Sequence, residues 1–117
     1  MAKILDLYID ANADFSQNIP VANLNIIDPT TNSVIVLSNT YSTSSLVKHE
    51  YTSTNNIPFI ATINSISQSV NLKMTANNTL LLTYPRYVYD VILTNTTTNG
   101  NIRIYEGSIY VDPSVTH

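Results

Sequence analysis

The sequence predicts an all-β fold, a sandwich or barrel of about seven to eight short strands. Three observations carry that expectation. β-branched and aromatic residues dominate the apolar positions, and helix-type periodicity is nearly absent. The apolar runs are short and are separated by clusters of Asn, Ser, Thr and Pro, which favour turns and caps over helix interiors. These turn signals recur at fairly even spacing along the chain.

Taken in order, the expected strands are Ile4–Ile9, Val21–Ile27, Ser33–Leu37, Leu46–Tyr51, Phe59–Ile63, Ser69–Met74, Tyr87–Thr94 and Ile102–Val111. The run Asp28-Pro29-Thr30-Thr31-Asn32 reads as a turn, because Pro fixes φ and Asp and Asn bond local backbone. Asn55-Asn56-Ile57-Pro58 breaks the pattern again, with the residue before Pro pushed to extended geometry. Thr75–Leu82 is open between a strand and a helical turn capped by Asn77 or Asn78. The latter is favoured, as a crossing between sheets ahead of Tyr84-Pro85. Asn99-Gly100 is a strong hairpin signal, since both residues tolerate positive φ.

The strands around that hairpin have the clearest pattern. Tyr87, Tyr89, Val91 and Leu93 share one face, and Val88, Asp90 and Ile92 the other. Apolar residues on both faces fit a central strand with one face in the core and the other partly covered. After the turn, Ile102 and Ile104 share a face, whereas Ile109 and Val111 have the opposite parity. A phase change of this kind is what a bulge or bend produces, and Gly107 points to one near Glu106-Gly107. The expected core is Tyr89, Val91, Leu93, Ile102 and Ile104.

The chain has 117 residues and net charge -3, with no cysteine. One domain, spanning 1–117, is the expectation for this length, and it is long enough to bury a core without disulfides or metal. Asn, Thr and Ser make up roughly a third of it. Its surface must therefore be largely neutral and polar, a surface suited to packing against copies or partners. An AT-rich coding sequence would give the same enrichment. Five basic residues against eight acidic ones leave no basic stripe for phosphates, so a nucleic-acid partner is not expected. No apolar run approaches a membrane span. The opening residues, interrupted by Asp6 and Asp10, do not read as a signal peptide.

A search for chemistry leaves little. His49 and His117 are the only histidines and there are no thiols, a poor ligand set for zinc. His49 reads as a surface residue. Gly100 and Gly107 are the only glycines, which leaves no nucleophile elbow and no phosphate-cradling loop. Asp6, Asp10 and Asp14 are spaced by four, but they lack the glycine turn and terminal Glu of a calcium loop. Asn77 and Asn95 match glycosylation acceptors, as chance allows in an Asn- and Thr-rich chain. Neither catalysis nor a cofactor is expected. Tyr8, Tyr41, Tyr51, Tyr105 and Tyr110 are the candidates for an interface, or for stacking on sugars.

Several segments in the C-terminal half carry a resemblance. Phe59-Ile-Ala-Thr-Ile-Asn64, Val70-Asn-Leu-Lys-Met-Thr-Ala-Asn-Asn-Thr79, Arg86-Tyr-Val-Tyr-Asp-Val91, Arg103-Ile-Tyr-Glu-Gly107 and Tyr110-Val-Asp-Pro-Ser-Val-Thr116 occur in this order. The set resembles a family of small structural proteins of tailed bacteriophages, particularly marine, contractile-tailed ones. Asp6-Leu-Tyr-Ile-Asp10 and Ala13-Asp-Phe15 look like that family's start. Two features depart from it: nothing in Val21–Tyr41 matches its Asp-Leu-Thr-Gly-Tyr-like segment, and Pro85 stands where it has glycine. The resemblance covers about two thirds of the chain. It implies an antiparallel immunoglobulin-like β-sandwich, similar to the N-terminal domain of baseplate upper proteins. It also implies a virion part made in the bacterial host cytoplasm. Expected partners are other virion proteins or further copies of the chain, at a baseplate, neck or fibre attachment. A capsid decoration protein would share the fold, and a carbohydrate-binding module is a third possibility.

Overall fold

A computed structural model describes residues 3–21, 26–49 and 56–112. Within them the chain forms β1 (Lys3–Ile4), β2 (Leu7–Asp10), β3 (Phe15–Pro20), β4 (Ile27–Asp28), β5 (Ser33–Val34) and β6 (Tyr41–Lys48). These are followed by β7 (Asn56–Pro58), β8 (Ile60–Asn64), β9 (Ser69–Met74), the helical turn α1 (Ala76–Thr79), β10 (Arg86–Asn95) and β11 (Gly100–Asp112). The fold is all-β with several sheets, most of whose pairings are antiparallel. The larger sheet runs β1-β11-β10-β6-β7, with β2 pairing farther along β11. A smaller sheet runs β3-β9-β8, and β4 pairs with β5 alone. Inward side chains of both main sheets join one hydrophobic cluster, Leu7, Val91 and Ile104 from the larger, Ile19, Leu72 and Met74 from the smaller.

β10 and β11 pair antiparallel as expected, and the five expected core residues are buried. Val88, Asp90 and Ile92 are half-covered on the opposite face. In the turn only Asn99 adopts positive φ, at 59°. Asn95 closes the turn, accepting the Thr97 N–H on its side-chain oxygen at 3.0 Å while its backbone oxygen takes the Asn99 N–H at 2.7 Å. Gly100 does not adopt positive φ; it leaves room for a neighbour, since a Cβ there would lie 2.5 Å from the Thr30 side-chain atom Cγ2.

The phase change along β11 is real, and its position needs correction. The register shifts between Val91, opposite Tyr105, and Ile92, opposite Arg103, which leaves Ile104 as the extra residue. The bulge turns consecutive side chains, Ile104 and Tyr105, inward. Gly107 instead admits the N-terminal segment, since a Cβ would stand 2.2 Å from the Leu5 carbonyl oxygen. That segment is parallel to β11 in a single register, with Lys3 opposite Tyr105 and Leu7 opposite Ile109. Its ladder is interrupted at Leu5-Asp6, so β1 and β2 replace the one expected strand. There the Asp6 carboxylate accepts the Ser108 N–H at 3.1 Å, and the Leu5 carbonyl accepts the Tyr89 hydroxyl.

Other boundaries moved as well. β3, Phe-Ser-Gln-Asn-Ile-Pro, was not expected; Phe15, Gln17 and Ile19 point inward, and Pro20 is tolerated because β3 is an edge strand. Residues 22–25 of the expected strand Val21–Ile27 lie outside the described part; of the described ones, Ile27 is in a strand and Val21 and Ile26 are not. Ser33–Leu37 shortens to β5: Ile35 and Leu37 are buried, but Leu37 donates its N–H to the Gln68 side chain at 2.7 Å. β6 starts at Tyr41, earlier than Leu46, while Glu50 and Tyr51 lie outside the described residues. Ile57-Pro58, expected as a break, pairs with β6 through β7. Phe59 is the buried residue between β7 in one sheet and β8 in the other. α1 crosses from β9 to β10 as expected. Its first N–H is capped by Asp14 Oδ1 on Ala76 at 2.7 Å, and neither Asn77 nor Asn78 caps it.

Candidate interaction face

The registers of the larger sheet fix a grid of outward side chains, because successive residues of a strand alternate sides. One row across β6, β10, β11 and β1 is Leu46, Asp90, Glu106 and Ile4. The next holds Lys48, Val88 and Ser108, with Asp6 bonded to the Ser108 N–H. A third holds Arg86, Tyr110 and Tyr8. Arg86 lies over its neighbour, with Nε and Nη2 donating to Ser108 Oγ at 3.1 and 2.8 Å. Arg103 sits between two carboxylates, 3.7 Å from Asp90 and 3.5 Å from Glu106. Such partly exposed pairs fix orientation more than they add stability. Between β6 and β10 the face dips into a groove of about 220 Å³, whose walls include Leu46, Lys48, Val88, Ile92 and Arg103.

Two of the five candidate tyrosines come together here. Tyr8 and Tyr110 are cross-strand partners with ring centroids 5.5 Å apart and planes 23° apart, and they are 73% and 40% exposed. Tyr105 corrects the expectation: it is only 4% exposed, because the bulge flips it inward and its hydroxyl donates to the Pro20 carbonyl at 2.7 Å. Burial raises its pKa. Tyr41 is half-buried and committed to Asp28, with its own pKa raised by burial and then by that carboxylate. Tyr51 lies outside the described residues.

Asp28 anchors the most heavily bonded polar cluster among the described residues. It is fully buried and accepts four hydrogen bonds. Oδ1 takes the Thr30 hydroxyl at 2.6 Å and the Thr30 N–H at 2.9 Å. Oδ2 takes the Tyr41 hydroxyl at 2.8 Å and the Asn95 amide at 3.0 Å. The Thr30 hydroxyl bond and then the Asn95 bond hold the carboxyl far below the usual carboxylate range, against the opposing effect of burial. A carboxylate so fully occupied pins the 28–32 turn to β6 and β10. The turn was legible in Asp-Pro-Thr-Thr-Asn, but its distant partners Tyr41 and Asn95 were not.

His49 is exposed and stacks on Tyr84, with centroids 3.7 Å apart and planes 7° apart. Among the described residues no group of three or more His, Asp or Glu side chains is placed to hold a metal. No helix in the described residues is long and apolar enough to cross a membrane. No protein-family model matches the chain, and no curated protein matches it in sequence.

Proposed function

We propose that the chain is a non-catalytic structural part of a tailed-phage virion, folded as an antiparallel immunoglobulin-like β-sandwich. It would serve at a baseplate, neck or fibre attachment. Strand order supports the fold: β3, β9 and β8 take the places of strands B, E and D, and β6, β7, β10 and β11 those of C, C′, F and G. Tyr87 supports it too. It stands at the start of β10, and its hydroxyl accepts the Tyr84 N–H at 3.1 Å, the arrangement of the tyrosine corner in such domains.

The observation that carries the functional reading is the outer face of the larger sheet. It is broad and mixed in chemistry, and it is formed around the same two strands, β10 and β11, that bear the Tyr-Val-Tyr-Asp and Arg-Ile-Tyr-Glu-Gly segments of the phage resemblance. A flat face of this kind suits repeated contacts between particle components, where many weak contacts add through multivalency. The test is mass spectrometry of purified virions of the encoding phage, followed by immunogold labelling. Gold at the tail supports the adaptor role. Gold over the head makes the chain a decoration protein, and absence from virions overturns both. The exposed Tyr8–Tyr110 pair favours one second reading, a carbohydrate-binding module. A glycan array that gives no signal, or equal signals for the parent and Tyr8→Ala, removes it.

A further inference from the structure

We infer that the outer face of the larger sheet binds a second copy of this chain, about a two-fold axis that runs along the strands between β10 and β11. The inference concerns the isolated protein and does not rest on the virion reading.

Rotation about such an axis lays β10 of one copy on β11 of the other, and β6 on the N-terminal segment. The registers then decide which side chains meet. Lys48 falls opposite Asp6, a cation against a carboxylate. Leu46 falls opposite Ile4, and both are exposed in the single chain, at 38% and 71%. Arg86 shares a row with Tyr110, but its guanidinium lies over Ser108, so the Arg86 side chain is what Val88 of the other copy meets. Two copies of Asp90 and Glu106 also approach, but each copy brings the Arg103 guanidinium that already bridges these carboxylates. The groove beside β6, lined in part by Leu46, Val88 and Ile92, lies where the partner's protruding Ile4 arrives. An exposed apolar knob, an apolar hollow and opposite charges thus sit at positions that the same two-fold operation exchanges, as a self-complementary interface requires.

The contact is small. β10 and β11 overlap over ten residue pairs, but β6 and the N-terminal segment share only the rows of residues 45–48 and 3–6, which gives a flat footprint of roughly 450 Å² per copy at about 4.8 Å between strands and about 3.3 Å per residue. Over both copies that is roughly 900 Å², below the range of stable complexes and in that of weak, transient association. The dimer should therefore form and dissociate with concentration.

The chain contains no cysteine, which makes cross-linking a clean test. Ile4→Cys and Leu46→Cys variants are mixed in equal amounts under mild oxidation, with each alone as control. The mixture should give a disulfide-linked dimer, and the separate variants far less. Sedimentation of the parent across a wide dilution series should show a reversible monomer–dimer equilibrium. Ile4→Asp alone, which adds a carboxylate beside Glu106, should weaken it by at least about a hundredfold, whereas Leu46→Lys, beside Asp90, should weaken it less. The double variant, which sets Asp against Lys twice, should recover it. Both positions are exposed, and an unchanged circular dichroism spectrum shows that the fold survives. A parent that stays monomeric throughout overturns the inference. So does a dimer indifferent to both charge variants, or one cross-linked equally by either cysteine alone.

Discussion

Gly107→Ala tests the least forgiving contact in the fold. Gly107 does not adopt positive φ, so the substitution brings no backbone strain of its own. The added Cβ would stand 2.2 Å from Leu5 O and 2.8 Å from Leu5 C, both backbone atoms that no rotamer change can remove. Relief requires the N-terminal segment to move off β11. At Leu5-Asp6, between the β1 and β2 ladders, three hydrogen bonds hold it there: Leu5 N–H to Glu106 O at 3.0 Å, Ser108 N–H to Asp6 Oδ1 at 3.1 Å, and the Tyr89 hydroxyl to Leu5 O. At about 1 kcal/mol each, their loss costs roughly 3 kcal/mol. Release of β2 as well would expose Leu7 and Ile9 at about 2 kcal/mol apiece. The expected loss is therefore at least about 3 kcal/mol, or a fall in Tm of roughly 10–15 °C for a domain of this size. Urea titration and thermal melting by circular dichroism read it directly. Tyr89→Phe should cost less in the Gly107→Ala background than in the parent, because the bond it removes is already broken. A Gly107→Ala protein within about 0.5 kcal/mol of the parent would refute the steric account.

Three further outcomes are expected. Gly100→Ala should cost only about 1 kcal/mol, because the group it meets is the Thr30 methyl, and Thr30→Ser should restore stability by removing that methyl; a melt series of the two single variants and the double variant checks this. Val91→Asp places a charge where the side chain is fully buried, and it should lower stability by more than about 4 kcal/mol; a Tm equal to the parent's would contradict the core assignment. The Asp28 carboxyl is held below its unfolded value of 3.8. Its network therefore stabilises the fold fully above that value and progressively less as pH falls below it. Urea midpoints between about pH 5 and pH 2 should drop more steeply in the parent than in Asp28→Asn.

What was legible in the sequence was the part where local pattern and long-range packing agree. β10 alternates Tyr, Tyr, Val, Leu against Val, Asp, Ile, and it is central, buried on one face and half-covered on the other. β3 was not legible, because its inward positions, Phe15, Gln17 and Ile19, include a polar residue that only the smaller sheet's packing accommodates. The first half of β6 hides in Tyr-Ser-Thr-Ser-Ser, a run with turn-like composition that pairs because β10 supplies the ladder. Gly107 correctly marked something unusual, yet its cause lies at Leu5, a hundred residues away. The same limit governs the tyrosines. Tyr8 and Tyr110 share an outward face, whereas the bulge at Ile104 that turns Tyr105 inward leaves no separate mark in the local composition.

The parallel pairing of the N-terminal segment with β11 sets an order of events during synthesis. Asp6 bonds to Ser108, 102 positions later, so a strand made early in this fold is among the last to find a partner. Contacts of such sequence separation close slowly. Meanwhile Leu7 and Ile9, which are buried in the finished protein, must wait in water. Asp6 and Asp10 flank them on either side. Their charges discourage the waiting segment from pairing with neighbouring nascent chains until β11 emerges, and then guard the edge that β1 and β2 form on the larger sheet.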